Sequence, residues 1–248
     1  MYVNPTQPGV AVLLTTTPAK FPPPSLHGYT GFAKMASHNQ EIEIKLAIED
    51  IAALRGQLRK LRAKAAPRLF ERNELYDTPQ NDLRGSGRLL RIRIETLAPG
   101  KSTRPPGSTR ANSRGVLTYK APVEGIDPAT PRRYKQREES EINFQPADRL
   151  EPILRALGFH SGFRYEKFRT EFILPKLKGL HLDLDETPIG DYLELEGPPA
   201  AIDRAAKLLG FTAQNYITAT YWDLYVAHCR GHRLDPGNLV FQNRKKSP

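Results

Sequence analysis

Seven tracts of this 248-residue chain place ionised side chains at alternate positions with apolar residues between them. The first is Gln40-Glu41-Ile42-Glu43-Ile44-Lys45-Leu46. Successive side chains on a strand point to opposite faces, so Glu41, Glu43 and Lys45 share one face and Ile42, Ile44 and Leu46 the other. The pattern returns at Arg91 and Arg93, at Lys120, and along the run Arg133, Lys135, Arg137, Glu139 and Glu141. It returns again at Lys167, Arg169 and Glu171, at Asp183 and Asp185, and at Glu194 and Glu196. A single strand of this kind reads as a sheet with one solvated face. Seven of them, with the polar face almost wholly ionic and grouped by sign, read as the lining of a charged cavity.

The residue types indicate what such a cavity could hold. Glu41, Glu43, Glu194 and Glu196, with Asp183 and Asp185 in the same pattern, suit a hard divalent cation such as Mg2+ or Mn2+. Lys45, Arg91, Arg93, Lys120, Arg137, Lys167 and Arg169 supply more positive charge than one phosphate requires and suit a polyphosphate. His181 precedes Asp183 and Asp185 at alternate spacing, but a histidine at the cavity edge is the plainer reading. Gly85-Ser86-Gly87-Arg88 lacks the lysine and following helix of a phosphate-binding loop and reads as a hairpin turn. The aromatic stripe at Tyr221, Trp222 and Tyr225 reads as core packing in preference to a base-stacking platform.

The elements that must carry these residues follow from periodicity. Strands are expected near residues 40–46, 68–76, 89–96, 116–121, 132–144, 163–174, 179–186 and 191–197. Apolar residues at helical spacing predict helices over 49–64, 146–157, 199–209 and 218–229. Eight strands joined mostly by hairpins, with helices able to cover their apolar side, predict an α+β fold: a closed antiparallel eight-stranded β-barrel with covering helices. A lumen crowded with both signs of charge must be wet or hold an ionic ligand.

Composition sets the limits. At 39% hydrophobic content the chain can bury one core, and no run of about 18 apolar residues is present to span a membrane. The net charge of +10 lies in the flanks: residues 1–34, 99–115 and 229–248 hold the whole surplus and the body balances. Weak nonspecific attraction to polyanions is the most this charge implies. Residues 1–37 read as a disordered or mis-assigned extension without the basic start of a signal peptide, with Met35 as an alternative start. Residues 38–228 form the domain, 99–115 a mobile basic loop within it, and 229–248 a basic flexible tail. The single cysteine, Cys229, forms no internal disulfide and points to a cytoplasmic location.

The chain resembles the CYTH family, triphosphate tunnel metalloenzymes that include class IV adenylate cyclases, thiamine triphosphatases and inorganic triphosphatases. The resemblance rests on Glu41-x-Glu43-x-Lys45, Asn73-x-x-Tyr76-Asp77-Thr78, Leu90-Arg91-Ile92-Arg93 and Leu117-Thr118-Tyr119-Lys120. It continues through Arg137-x-Glu139-x-Glu141, Tyr165-x-Lys167-x-Arg169 and the stretch from Leu184-Asp185-Glu186 to Leu193-Glu194-Leu195-Glu196. What it implies is a barrel enzyme acting on a triphosphate with one or two Mg2+ or Mn2+ held by Glu41, Glu43, Glu194 and Glu196, with Asp185 beside them. Lys45, Arg91, Arg93, Lys120, Arg137, Lys167 and Arg169 would bind the phosphates, and Glu43, Lys45 and Lys120 would act at the reacting group. A carboxylate or a water on the metal would activate the nucleophile.

Hydrolysis with release of phosphate and cyclisation of ATP to 3',5'-cyclic AMP with release of pyrophosphate share these parts. The His-Phe pair that often precedes the opening motif in cyclases is replaced here by Ser37-His38-Asn39-Gln40, which favours hydrolysis. A non-catalytic polyphosphate- or RNA-binding module is the third reading, and the acidic quartet argues against it. The implied partner is a small-molecule triphosphate such as inorganic triphosphate, thiamine triphosphate or ATP. No membrane and no specific nucleic acid is expected, and a homodimer is an arrangement open to such a chain.

Overall fold

The computed structural model describes residues 40–98, 100, 105, 113–125 and 133–242. Eight strands close on themselves: β1 (Gln40–Ile48), β3 (Leu69–Asp77), β4 (Leu89–Leu97), β5 (Ser113–Ala121), β6 (Lys135–Phe144), β7 (His160–Ile173), β8 (His181–Thr187) and β9 (Gly190–Glu196). Around the barrel they run β7-β3-β4-β5-β6-β1-β9-β8, and β8 pairs back onto β7. Every pairing is antiparallel. A two-residue strand, β2 (Lys64–Ala65), adds to β7 opposite Phe172 and Ile173. The expected barrel is the observed one.

Alternation decides which side chains lie inside. The largest apolar cluster is outside the barrel, where Ile44, Leu46, Leu182, Leu184, Leu193 and Leu195 are fully buried beneath α1 (Ile51–Lys60) and α4 (Pro199–Leu208). Leu54 and Leu58 of α1 and Ile202, Ala205 and Ala206 of α4 complete it. Asp50 starts α1 by accepting a hydrogen bond from the Ala53 amide at 2.9 Å, and Arg59 and Lys60 sit at its negative end. A second cluster packs α3 (Leu150–Ala156) through Leu150 and Leu154 onto Tyr76, Ile92 and Leu117. The apolar core is therefore a jacket around a polar interior. At the end of β9, Gly197 has φ +149° and a Cβ there would meet the Gly179 carbonyl oxygen at 2.4 Å. Only glycine lets the two turns approach while its amide donates to the Ile42 carbonyl at 3.0 Å.

Three boundaries differ from the periodicity. The turn expected after Tyr76, together with the glycine-rich stretch, contains a short helix, α2 (Asp82–Gly85), because the Asp77 carboxylate accepts from the amides of Thr78, Leu83 and Arg84. Residues 113–115, assigned by sequence to the mobile loop, already belong to β5. Most of that loop, like residues 1–37, lies outside the described residues. The segment expected to be a loose tail from Cys229 begins as the last turn of α5 (Tyr221–His232). It then lays Leu239 beside β7, with the Glu166 amide donating to the Leu239 carbonyl at 2.8 Å. Leu239 is 2% exposed and Phe241 packs on Phe168 at 5.1 Å, so two apolar residues anchor a segment whose composition is otherwise polar.

Leu195→Ala is expected to lower unfolding free energy by about 3 kcal/mol, since it opens a cavity between the barrel and α4 where no polar group can compensate. Urea denaturation followed by circular dichroism measures it.

Candidate active site

The strand register brings the ionic residues together inside the barrel. Glu41 stands opposite Arg137 and Glu43 opposite Lys135 across β1 and β6. Across β1 and β9, Glu43 faces Glu196 and Lys45 faces Glu194. Lys120 faces Glu139 across β5 and β6, and Arg169 faces Asp185 across β7 and β8. Directly opposed residues share a face, so these side chains form one lining.

The bases are met by acids in a defined pattern. Arg169 donates to both carboxylate oxygens of Asp185 at 2.7 and 2.6 Å and to Asp183 at 2.6 Å, and it also pairs with Glu194. Lys167 donates to Asp185 at 2.8 Å and lies 3.4 Å from Glu71. Lys45 bridges Glu43 and Glu194 at 3.1 and 3.2 Å. Arg91 donates to the Tyr165 hydroxyl at 3.1 Å, to Thr118 at 3.0 Å and to Glu141 at 3.3 Å. Arg93 pairs with Glu95 at 2.8 Å and approaches Glu141 at 3.8 Å. Arg137 reaches the Gly87 carbonyl, which places it where β4 begins.

Of the acids assigned to a metal by sequence, Glu41 and Glu196 lie together with Glu139, each offering an oxygen within 4.8 Å of the others. Three carboxylates at that spacing are a donor set a hard divalent cation accepts. Glu43 and Glu194 instead flank Lys45. Asp185 is the most heavily engaged, taking Arg169, Lys167 and the Tyr221 hydroxyl, the last at 2.6 Å. On the cationic side, the Nε of Arg91 and of Arg137 are buried without a hydrogen-bond partner among the described residues, as is the Asn73 carbonyl oxygen. The arginine donors are available to an anion.

The electrostatics follow from burial opposed by opposite charge. Burial pushes the Glu43 carboxyl up, but Lys135, Lys45 and Lys120 outweigh it and hold it well below the usual carboxylate range. Glu194 is held down in the same way by Lys45, Lys167 and Arg169. Glu71, also buried, is pulled down to about 2 by Lys167, Arg169, Arg93 and Arg91. Burial would lower the Lys45 and Lys120 ammonium groups, yet their carboxylate partners raise both. Burial, with Asp185 and Glu194, raises the Tyr221 phenol, so it remains a donor to Asp185.

Several lining residues were not assigned by sequence. Glu139 and Glu141 were visible on the shared face of β6 but read as part of a charged run. Glu71 and Asn73 were hidden because β3 carries polar residues on both faces, so alternation does not mark the inner one. Tyr221 looked like core, and its ring does pack on Tyr165 at 5.7 Å and Tyr192 at 5.9 Å. It also lies beneath the ammonium groups of Lys45 and Lys167, 5.3 and 5.1 Å from the ring centre. An amphipathic stripe does not distinguish the two roles. His181 stands opposite Glu196 and Ile173, while Asp183 and Asp185 beside it are held by Arg169.

Two outcomes test this network. Arg169→Met is expected to destabilise by about 3 to 5 kcal/mol, because it strands Asp183, Asp185 and Glu194 without their shared cation; chemical denaturation reads it. The depressed carboxyls contribute stability that is complete above about pH 4.5, the ordinary value, and lost as pH falls toward about 2, the value at Glu71. In that window the unfolded chain binds more protons, so stability rises with pH. Urea midpoints are expected to be flat near neutrality and to fall progressively below about pH 4.5.

Comparison with known proteins agrees with this architecture. A "Putative adenylate cyclase" of Methanocaldococcus jannaschii is 27% identical over 170 residues, covering 68% of this chain and 83% of that one. A solved structure from Vibrio parahaemolyticus, described as a "putative adenylate cyclase", superposes with a TM-score of 0.58 at 16% identity, covering 75% of this chain and 98% of that one. A Pyrococcus horikoshii protein superposes with a TM-score of 0.58 at 24% identity, covering 76% and 99%. The model of the CYTH domain matches residues 39–215, and with that match and the closed, charge-lined barrel the chain belongs to the CYTH domain family.

Proposed function

We propose that the protein is a divalent-metal-dependent triphosphatase that binds its substrate inside the barrel and releases phosphate. The observation that carries this reading is the juxtaposition, in one closed lumen, of the Glu41, Glu139 and Glu196 carboxylates with eight bases, the seven assigned by sequence and Lys135. A cation and a multiply charged anion can be accepted side by side.

The metal, Mg2+ or Mn2+, would be held by Glu41, Glu139 and Glu196 with Glu43 and Glu194 adjacent, and it would supply charge neutralisation at the phosphoryl oxygens. Arg91, Arg93 and Arg137 orient the phosphate chain with directed donors, while Lys45, Lys120, Lys167 and Arg169 balance its charge. Glu43 and Glu194 hold the Lys45 ammonium charged against its burial, which suits it to face phosphate oxygens. Glu43, whose carboxyl Lys135, Lys45 and Lys120 hold well below the usual range against its burial, serves as their charge partner. Water attacks the terminal phosphorus, a new P–O bond forms as the bond to the bridging oxygen breaks, the diphosphate leaves free or as its ester, and the water's proton passes to the released phosphate or to solvent. The transferring group develops charge among fixed cations, which is where rate enhancement arises.

Hydrolysis is favoured over cyclisation because the aromatic rings at the lumen are already engaged. Tyr165 and Tyr192 each pack on Tyr221, and the Tyr165 and Tyr221 hydroxyls meet Arg91 and Asp185. These rings are committed elsewhere than to a nucleobase. Cyclisation of ATP remains the second reading, supported by the name of the Methanocaldococcus relative.

A phosphorus NMR time course with Mg2+ or Mn2+, run separately on inorganic triphosphate, thiamine triphosphate and ATP, is expected to show orthophosphate growing from at least one of them. Pyrophosphate with 3',5'-cyclic AMP from ATP would assign the cyclase instead. Glu196→Gln is expected to lose the metal-dependent turnover while keeping the wild-type circular dichroism spectrum.

A further inference from the structure

We infer that Lys120 exchanges between the carboxylate cluster and the phosphate chain, which makes the divalent cation and the polyphosphate mutually dependent ligands. This rests on the reading of the lumen as a metal and polyphosphate site, and it concerns how the two are linked. Lys120 Nζ lies 2.5 Å from Glu41 and 3.2 Å from Glu139, two of the three carboxylates that come within 4.8 Å of one another. The chain's own ammonium thus stands where a cation for those oxygens must come. A divalent ion accepted by Glu41, Glu139 and Glu196 competes with it directly.

The released ammonium has an unfavourable neighbour. Burial disfavours the Lys120 ammonium most, Glu41, Glu139 and Glu43 hold it charged, and Arg91 repels it. Its side chain is 12% exposed, so water offers little relief for an unpaired charge. Polyphosphate bound by Arg91 would accept this ammonium and remove the penalty. Conversely, phosphate that draws Lys120 away removes that ammonium from Glu41 and Glu139 and vacates its place for a metal. Each ligand completes the compensation that the other disrupts, and the coupling is reciprocal by necessity.

Lys120 differs in this from the other lysines of the acid face. Lys45 bridges Glu43 and Glu194 and lies against the Tyr221 ring, and Lys135 donates to Glu43 at 2.7 Å. Lys120 instead pairs with Glu41 and Glu139, both members of the cluster of three.

The test is Mn2+ binding to the full chain, followed by the electron paramagnetic resonance of free Mn2+, with and without a methylene-bridged, non-hydrolysable triphosphate. Wild type is expected to bind Mn2+ at least about fivefold more tightly with the analogue present. Lys120→Met is expected to bind Mn2+ alone more tightly than wild type, since the competitor is gone, and to lose most of the enhancement. Lys135→Met removes an equal charge that the structure pairs with Glu43 and is expected to keep the enhancement. A Lys120→Met chain with weaker Mn2+ binding or unchanged enhancement overturns the inference, and so does equal loss in both variants. No Mn2+ binding to wild type under either condition overturns the metal reading itself. Thermal melting confirms that each variant is folded, with Lys120→Gln replacing a methionine variant that is not.

Discussion

A guanidinium enclosed by a barrel must be met by carboxylates or the barrel will not hold it, and Arg169 is met by Asp183, Asp185 and Glu194. Removing ions from water costs several kcal/mol each even after relaxation, and only close, hydrogen-bonded opposite charge offsets the loss. Everything inside this barrel follows from that constraint. Each strand that contributes a base stands beside one that contributes an acid: β7 beside β8, β4 beside β3, β5 beside β6, and β1 beside β9. The same constraint explains the direction of the shifts, with Glu43, Glu71 and Glu194 held ionised and Lys45, Lys120 and Lys167 held protonated.

Such an interior contributes little net stability, so the fold draws on its outer surface. Ile44, Leu46, Leu182, Leu184, Leu193 and Leu195 project away from the lumen and are sealed by α1 and α4. The two halves of the alternation thus divide the work: apolar residues close and hold the barrel, and the ions inside are spared for ligands. The proposed triphosphate and metal would enter a network already paired in this way by exchange of partners, which requires less rearrangement than assembling charges from solvent. Tyr221 shows how the wall is finished, since α5 sends one phenol inward to Asp185 while Trp222 packs on Phe163 at 4.8 Å.

Much of this was legible along the chain. Alternation of period two, repeated seven times with charge on one parity, determined seven of the eight barrel strands with their inner faces, β3 excepted, and the closure that so many hairpins require. The helices were visible in the spacing of Leu54 and Leu58 or Ile202 and Ala206, because a covering helix must present one apolar stripe. Where local chemistry departs from periodicity the reading slipped: Asp77 folds α2 out of an expected turn, and Leu239 and Phe241 dock a segment that composition marks as polar tail.

What the sequence by itself determined was therefore which residues share a face and that the face is ionic, since both follow from the geometry of a single strand. Which acid meets which base was decided only by tertiary structure. Glu41, Glu139 and Glu196 come from β1, β6 and β9, and their grouping depends on strand order and register around a closed sheet, which no local pattern carries. Asp185 and Glu194 look equivalent in the sequence and both meet Arg169, yet Asp185 also takes Lys167 and Tyr221 while Glu194 shares Lys45 with Glu43. The difference arises because charge compensation is a property of the assembled lumen, and distance in space, not spacing in the chain, sets it.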